Sequence, residues 1–130
     1  MSEYYYLSNP YNGSDEERNL RARMAAEACG SLLKQGIHAW SPIVHNHAMM
    51  DIVAFTLDER RSLILDFDFS LLKSAKAMIV LEIDGWKKSF GVNAEIELCR
   101  QLSIPIHYLY PQDLKNGVPA LECLKSDPQT

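Results

Sequence analysis

Four consecutive segments decide the fold: Lys76-Ala-Met-Ile-Val-Leu-Glu-Ile83, Asp84-Gly-Trp-Lys-Lys-Ser-Phe-Gly91, the helical pattern from Val92 to Leu102, and Ile104-Pro-Ile-His-Tyr-Leu-Tyr110. Met78 to Leu81 is a compact apolar run of the kind that forms a strand buried on both faces. A loop with two glycines follows, then a helix with a carboxylate, Glu95, in its opening turns, then a second strand at Ile106 to Leu109. This is a β-loop-α-β unit. Ligands of such sheets gather beyond the carboxyl end of the first strand, where helix N-termini also point. Chemistry is therefore expected between Asp84 and Glu95.

Outward from this unit the same alternation continues. Tyr4 to Leu7 reads as a first strand that empties into the turn Ser8-Asn-Pro-Tyr-Asn-Gly13. Ser14 or Asp15 can cap the next helix, whose apolar stripe is Leu20, Met24, Ala28 and Leu32, widened by Ala25, Cys29 and Leu33 and ended by Gly36. Ile37 to Trp40 gives a second short strand, and Ser41-Pro-Ile-Val-His-Asn-His47 reads as its polar exit loop. Leu57 to Leu72 fits a helix interrupted by Asp66 and Asp68, which cannot share one face, so that one is exposed and the other points elsewhere. Beyond Tyr110 the tail gives no clear pattern: Val118 to Leu124 suits a helical turn or two and the last residues fray. The whole describes a three-layer α/β domain over residues 1–130 with a mainly parallel sheet of four strands, or five if Asp51 to Phe55 or the tail supplies another.

Composition narrows the function. The 130 residues carry 13 basic and 17 acidic side chains, a formal charge of -4, with no long basic run, which argues against binding a nucleic-acid polymer. No apolar segment approaches the length of a membrane span and no signal peptide opens the chain, so a cytoplasmic protein is expected. Cys29, Cys99 and Cys123 are widely spaced and odd in number, and read as reduced thiols.

Glu95 is the first candidate for chemistry. Close to a helix N-terminus its ionised form is favoured by the dipole, suiting it to attack a sugar anomeric carbon as a low-pKa nucleophile; the plainer alternative is a surface glutamate at a helix start. Ser89, Gly91 and the amides around them can form a pocket for one phosphate or a ribose hydroxyl, though no dinucleotide or phosphate-loop fingerprint is present. His45 and His47 near Asp51 lack a convincing third ligand, so no metal and no other cofactor is expected. Ser8 and Ser41 do not sit in a hydrolase nucleophile elbow. Tyr6, Tyr11, Trp40 and Trp86 can line a nucleobase pocket or simply pack.

The segments Tyr6-Leu-Ser-Asn-Pro-Tyr11, Ser41-Pro-Ile-Val-His-Asn-His47 and Asp84-Gly-Trp with Ser89-Phe-Gly-Val-Asn-Ala-Glu95 resemble the nucleoside 2-deoxyribosyltransferase superfamily, most closely its short bacterial and phage members of uncharacterised function. The resemblance runs nearly to Tyr110. It implies a flavodoxin-like domain that binds a small nucleoside or nucleotide, and a homodimer or higher homo-oligomer. Through it Glu95 is the expected nucleophile forming a glycosyl-enzyme, Asp68 the carboxylate that orients or protonates the base, and Asp84 a sugar contact. Tyr6, Ser8, Asn9, Tyr11, His45, His47 and Trp86 are expected around the substrate, and Ser89 and Gly91 match phosphate-contacting positions of the related deoxynucleoside 5′-monophosphate N-glycosidases. The first loop, Ser8 to Gly13, departs from the glycine-serine-isoleucine-arginine-glycine phosphate loop of those hydrolases. The activity implied is N-glycosidase action on a (2′-deoxy)nucleoside 5′-monophosphate; the alternatives are a deoxyribosyltransferase on free nucleosides and a nucleotide-binding module without turnover.

Overall fold

The computed structural model describes residues 3–117 and 124–127. Its sheet has the order β2-β1-β3-β4-β5, built from β1 (Tyr5–Ser8), β2 (Ala39–Trp40), β3 (Ala77–Leu81), β4 (Ile106–Leu109) and β5 (Lys125–Ser126). The first four strands are parallel. The fifth comes from the tail, not from Asp51 to Phe55, and pairs antiparallel with β4. It is fastened by the buried Asp127, which takes an ion pair from Arg100 at 3.1 Å and donates its own amide to the Ile106 carbonyl. Cys123 and most of the turn expected over Val118 to Leu124 lie outside the described residues, as do the last three residues.

Strand alternation divides the core into two layers. Leu7, Ile79, Leu81 and Leu109 face α1 (Asp15–Lys34), while Tyr6, Met78, Val80 and Ile106 face the opposite side, against Leu72, Val92, Ile96 and Cys99. All five residues of β3 are buried, as its unbroken apolar run requires. The chain runs from β1 out to β2, then returns past β1 to β3. That reversal opens a crevice at the carboxyl ends of β1 and β3, the place where parallel α/β sheets bind ligands.

α1 begins with a capping box, in which the Ser14 hydroxyl accepts from the Glu17 amide and the Glu17 carboxylate accepts from the Ser14 amide. Its buried face is Ala22, Ala25, Ala28 and Leu32, while Leu20 and Leu33 of the expected stripe are exposed. Ala25, Ala28 and Leu32 of the expected stripe are in the core, and the small alanines bring the helix close to the sheet.

A larger correction concerns 41–47. This segment is not an exit loop but the start of α2 (Pro42–Ile52), which runs on through the stretch after Ala48 that suits either a loop or a short helix by pattern; the Ser41 hydroxyl accepts from the Val44 amide at 3.1 Å and Pro42 lies in the first turn. Serine as cap followed by proline is a helix-start signature, because proline lacks the amide that would go unbonded there. Ser41→Ala is expected to cost about 1 kcal/mol of stability, measured by urea unfolding.

The next helix has three parts without a break: α3 (Leu57–Glu59), a π-helical turn (Arg60–Ile64) and α4 (Leu65–Lys73). Thr56 and Glu59 form a second capping box. After β3, Gly85 takes the left-handed conformation at φ 88°, a 3-10 turn covers Trp86–Lys88, and Ser89 caps α5 (Phe90–Leu102). A last short helix, α6 (Pro111–Lys115), follows β4.

Candidate active site

The carboxyl half of β1 supplies two side chains to one face of the sheet. Tyr6 and Ser8 are two residues apart and so point the same way, toward α5. There they meet Glu95. The Tyr6 hydroxyl donates to Glu95 Oε2, and the Ser8 hydroxyl donates to Oε1 at 2.6 Å. Both carboxylate oxygens are thereby held by residues 87 and 89 positions away in sequence. Glu95 is only 8% exposed, and Val92, Ile96 and Cys99 around it on α5 are buried as well.

The ionisation of Glu95 differs from the sequence expectation. Burial raises its pKa from 4.5 to about 7; the Ser8 and Tyr6 hydrogen bonds oppose this, and the charge of Asp68 adds to it. The helix dipole does not hold it low because the cap is Ser89, which places Glu95 six residues in, beyond the first turn where the dipole acts strongly. Tyr6 is itself held neutral, its pKa raised by burial and then by Glu95, so it remains a hydrogen-bond donor throughout the physiological range.

Asp68 projects from α4 on the side away from the exposed Asp66, which settles the pair as the spacing required. Its Oδ1 accepts from Asn46 Nδ2 at 2.8 Å, and the Asn46 amide oxygen is 2.9 Å from His45 Nδ1. Burial raises the Asp68 pKa from 3.8 to about 6, against the pull of the Asn46 bond and of His45. The two carboxyl groups thus lie within electrostatic reach, each partly protonated near neutrality. Beside them runs an aromatic wall. Trp40 contacts Tyr6, His45 and Phe67 with ring centroids 5.7, 5.9 and 6.0 Å apart, and His45 and Phe67 are 5.4 Å apart.

Asn46 and Phe67 are absent from the sequence-based set. Asn46 is buried on the same face of α2 as Ile43, at i, i+3 spacing. The Ser41-Pro42 start signal would have revealed that face.

The remaining candidates make their contacts outside this hydrogen-bonded cluster. Tyr11 and His47 share a hydrogen bond of 2.6 Å and pack edge to face. Asn9 is buried, with its amide nitrogen bonded to the Pro10 carbonyl and its Oδ1 without a partner among the described residues. The Ser89 hydroxyl accepts from the Val92 amide at 3.2 Å, and a side chain at Gly91 would meet nothing closer than Ser89 Oγ at 4.0 Å. Asp84 and Trp86 line a separate cavity that none of Tyr6, Ser8, Glu95, Asp68 or Asn46 borders. Among the described residues, no group of three or more His, Cys, Asp and Glu could hold a metal ion, and no helix is long and apolar enough to cross a membrane.

Tyr6→Phe removes one of the two donors that stabilise ionised Glu95. Its pKa is expected to rise further, which 13C NMR of the labelled carboxyl would register. The variant should lose about 10- to 100-fold in any activity that uses the carboxylate at pH 7.

Fold and site together define a three-layer, mostly parallel α/β protein with a buried, doubly hydrogen-bonded glutamate at the crevice of its sheet. Residues 3–109 match the family described as "Domain of unknown function (DUF1937)", and the chain belongs to it. A solved structure of the 2-deoxyribosyltransferase from the psychrotolerant bacterium Bacillus psychrosaccharolyticus is similar, with a TM-score of 0.62 and 19% identity over 83% of this chain and 72% of that one. The likeness at that identity is one of fold. No curated protein matches the chain in sequence.

Proposed function

We propose that the protein cleaves the N-glycosidic bond of a 2′-deoxynucleoside by double displacement and passes the deoxyribosyl group to a second base. The observation that carries this reading is the Glu95 carboxyl held between Tyr6 and Ser8, with Asp68 in electrostatic reach and the aromatic wall beside it. Ionised Glu95 attacks C1′ as the bond from C1′ to the base nitrogen breaks, and the Asp68 proton goes to the departing base. A second base then attacks C1′, gives its proton to Asp68 and releases Glu95. The positive charge that develops on the sugar in each step is stabilised by the adjacent carboxylate. Trp40 and Phe67 provide a face on which a base can stack, and Asn46 orients Asp68.

Free nucleosides are favoured over monophosphates by the first loop, which lacks the phosphate-loop pattern, and by the fold likeness to a deoxyribosyltransferase. The second reading is hydrolysis of a deoxynucleoside 5′-monophosphate. It draws on the open space above Gly91 and on the Ser89 hydroxyl, which keeps its proton for a phosphate while its oxygen serves as the cap.

The test is a chromatographic screen of deoxynucleosides, ribonucleosides and their 5′-monophosphates, each with and without a competing base. An exchanged nucleoside supports the transferase, and free base with deoxyribose phosphate supports the hydrolase. Nucleoside binding in calorimetry without conversion or a glycosyl-enzyme mass adduct would overturn both in favour of a binding module.

A further inference from the structure

A cavity of about 730 Å3 opens at the exits of β3 and β4, between α1 and α6. Its size is that of a small-molecule site. This chain has a net charge of -4, yet four of its 13 basic residues, Arg21, Lys87, Lys88 and Lys115, line this one space against two carboxylates, Glu82 and Asp84. The three lysines form no ion pair among the described residues. Arg21 is held in place by the Asn12 carbonyl and by Glu17 at 3.6 Å, with its Nη2 over the open side of Gly85. Like charges gathered around a concave surface favour an anion there.

Two further features say what kind of anion. Glu82 and Asp84 place carboxylate acceptors in the lining, so it suits an occupant that carries hydroxyl or amino donors as well as negative charge. Inorganic phosphate would fill only a small part of the space. Tyr110, half exposed, adds a flat ring to the lining.

We propose that this cavity is a nucleotide site distinct from the Glu95 centre: the lysines and Arg21 hold the phosphates, Glu82 accepts from a sugar hydroxyl or a base amino group, and Tyr110 packs against the base. The inference does not depend on the catalytic reading, because no residue of the Glu95 cluster takes part.

The probe is ADP in isothermal titration calorimetry, with pyrophosphate and adenosine as partial ligands. Wild-type protein and Glu95→Gln are expected to bind one ADP with equal affinity, weakening as salt rises. Lys87→Glu combined with Lys115→Glu should weaken binding at least about tenfold, as should Tyr110→Ala, with circular dichroism confirming that each variant is folded. Pyrophosphate and adenosine should each bind at least about tenfold less tightly than ADP. No binding at millimolar ADP, indifference to the lysine reversals, or equal loss in Glu95→Gln would overturn the site. Pyrophosphate binding as tightly as ADP would overturn the assignment to a nucleotide.

Discussion

Glu95→Gln is expected to lower glycosidic cleavage at least about 10^4-fold while making the protein more stable at alkaline pH. The loss follows because an amide cannot form the ester to C1′. The gain follows from linkage. In the folded chain the Glu95 pKa stands at about 7 against an ordinary 4.5, so folding favours the neutral carboxyl. The stability this group contributes is fully present below pH 4.5 and is lost as pH rises through about 7. A displacement of that size corresponds to about 3 kcal/mol at full ionisation. Glutamine escapes the penalty, although rearranging the Tyr6 and Ser8 hydrogen bonds takes back about 1 kcal/mol. At pH 8 the variant should therefore unfold with about 2 kcal/mol more resistance and melt several degrees higher, whereas at pH 4 it should show no gain. Melting curves at the two pH values check the sign. Equal stability at pH 8 would show that Glu95 does not carry its charge at a cost.

Asp68→Asn carries the second large effect. With Glu95 titrating near 7 and Asp68 near 6, the productive pairing of an ionised nucleophile and a protonated acid is a minority state with its maximum near pH 6.5. The wild-type profile of kcat/KM should be bell-shaped, falling on both sides between pH 5 and 8. Asparagine removes the acid, so the alkaline limb should vanish and the rate drop by about 10^2- to 10^4-fold. It also leaves Glu95 to titrate alone, so the acidic limb, which the joint ionisation of the pair sets near 6 in the wild type, should move up toward the pKa of Glu95 itself. A stopped assay at half-unit pH intervals resolves both limbs. An alkaline limb that survives in the variant would assign the proton to another group.

The unit from β3 to β4 was legible because its signals are local: an apolar strand, a glycine-bearing loop and a helix with a clear apolar face. Glu95 was found by its place in that unit, yet its ionisation was misread. The groups that bury and bond it belong to β1, nearly ninety residues earlier, and helix position alone pointed toward a lowered pKa. The first half of α2 was missed because two histidines, an asparagine and a proline suggested a loop by composition. The stronger local signal was Ser41 before Pro42. Missing that helix hid Asn46, whose role appears only when its buried face meets Asp68 on another element. The centre of the α1 stripe, Ala25, Ala28 and Leu32, was legible, but its edges were not. Hydropathy drew in Leu20 and Leu33, which are exposed, whereas close packing against the sheet selects Ala22.

The π-helical turn at Arg60–Ile64 absorbs a residue without turning the helix face. Each α-helical residue turns the face by about 100°, whereas the wider π turn advances roughly 80° per residue, so five residues there cover nearly the rotation of four in an α-helix. Loss of a single residue within this turn would restore an ordinary α-helix and leave Asp68 almost in phase with the Thr56 end. The same loss between Leu65 and Phe67, where the helix is already α, would swing Asp68 about 100° away from Asn46. One helix thus holds a stretch that tolerates a change of length beside one that does not, and only the second sets where the carboxylate points.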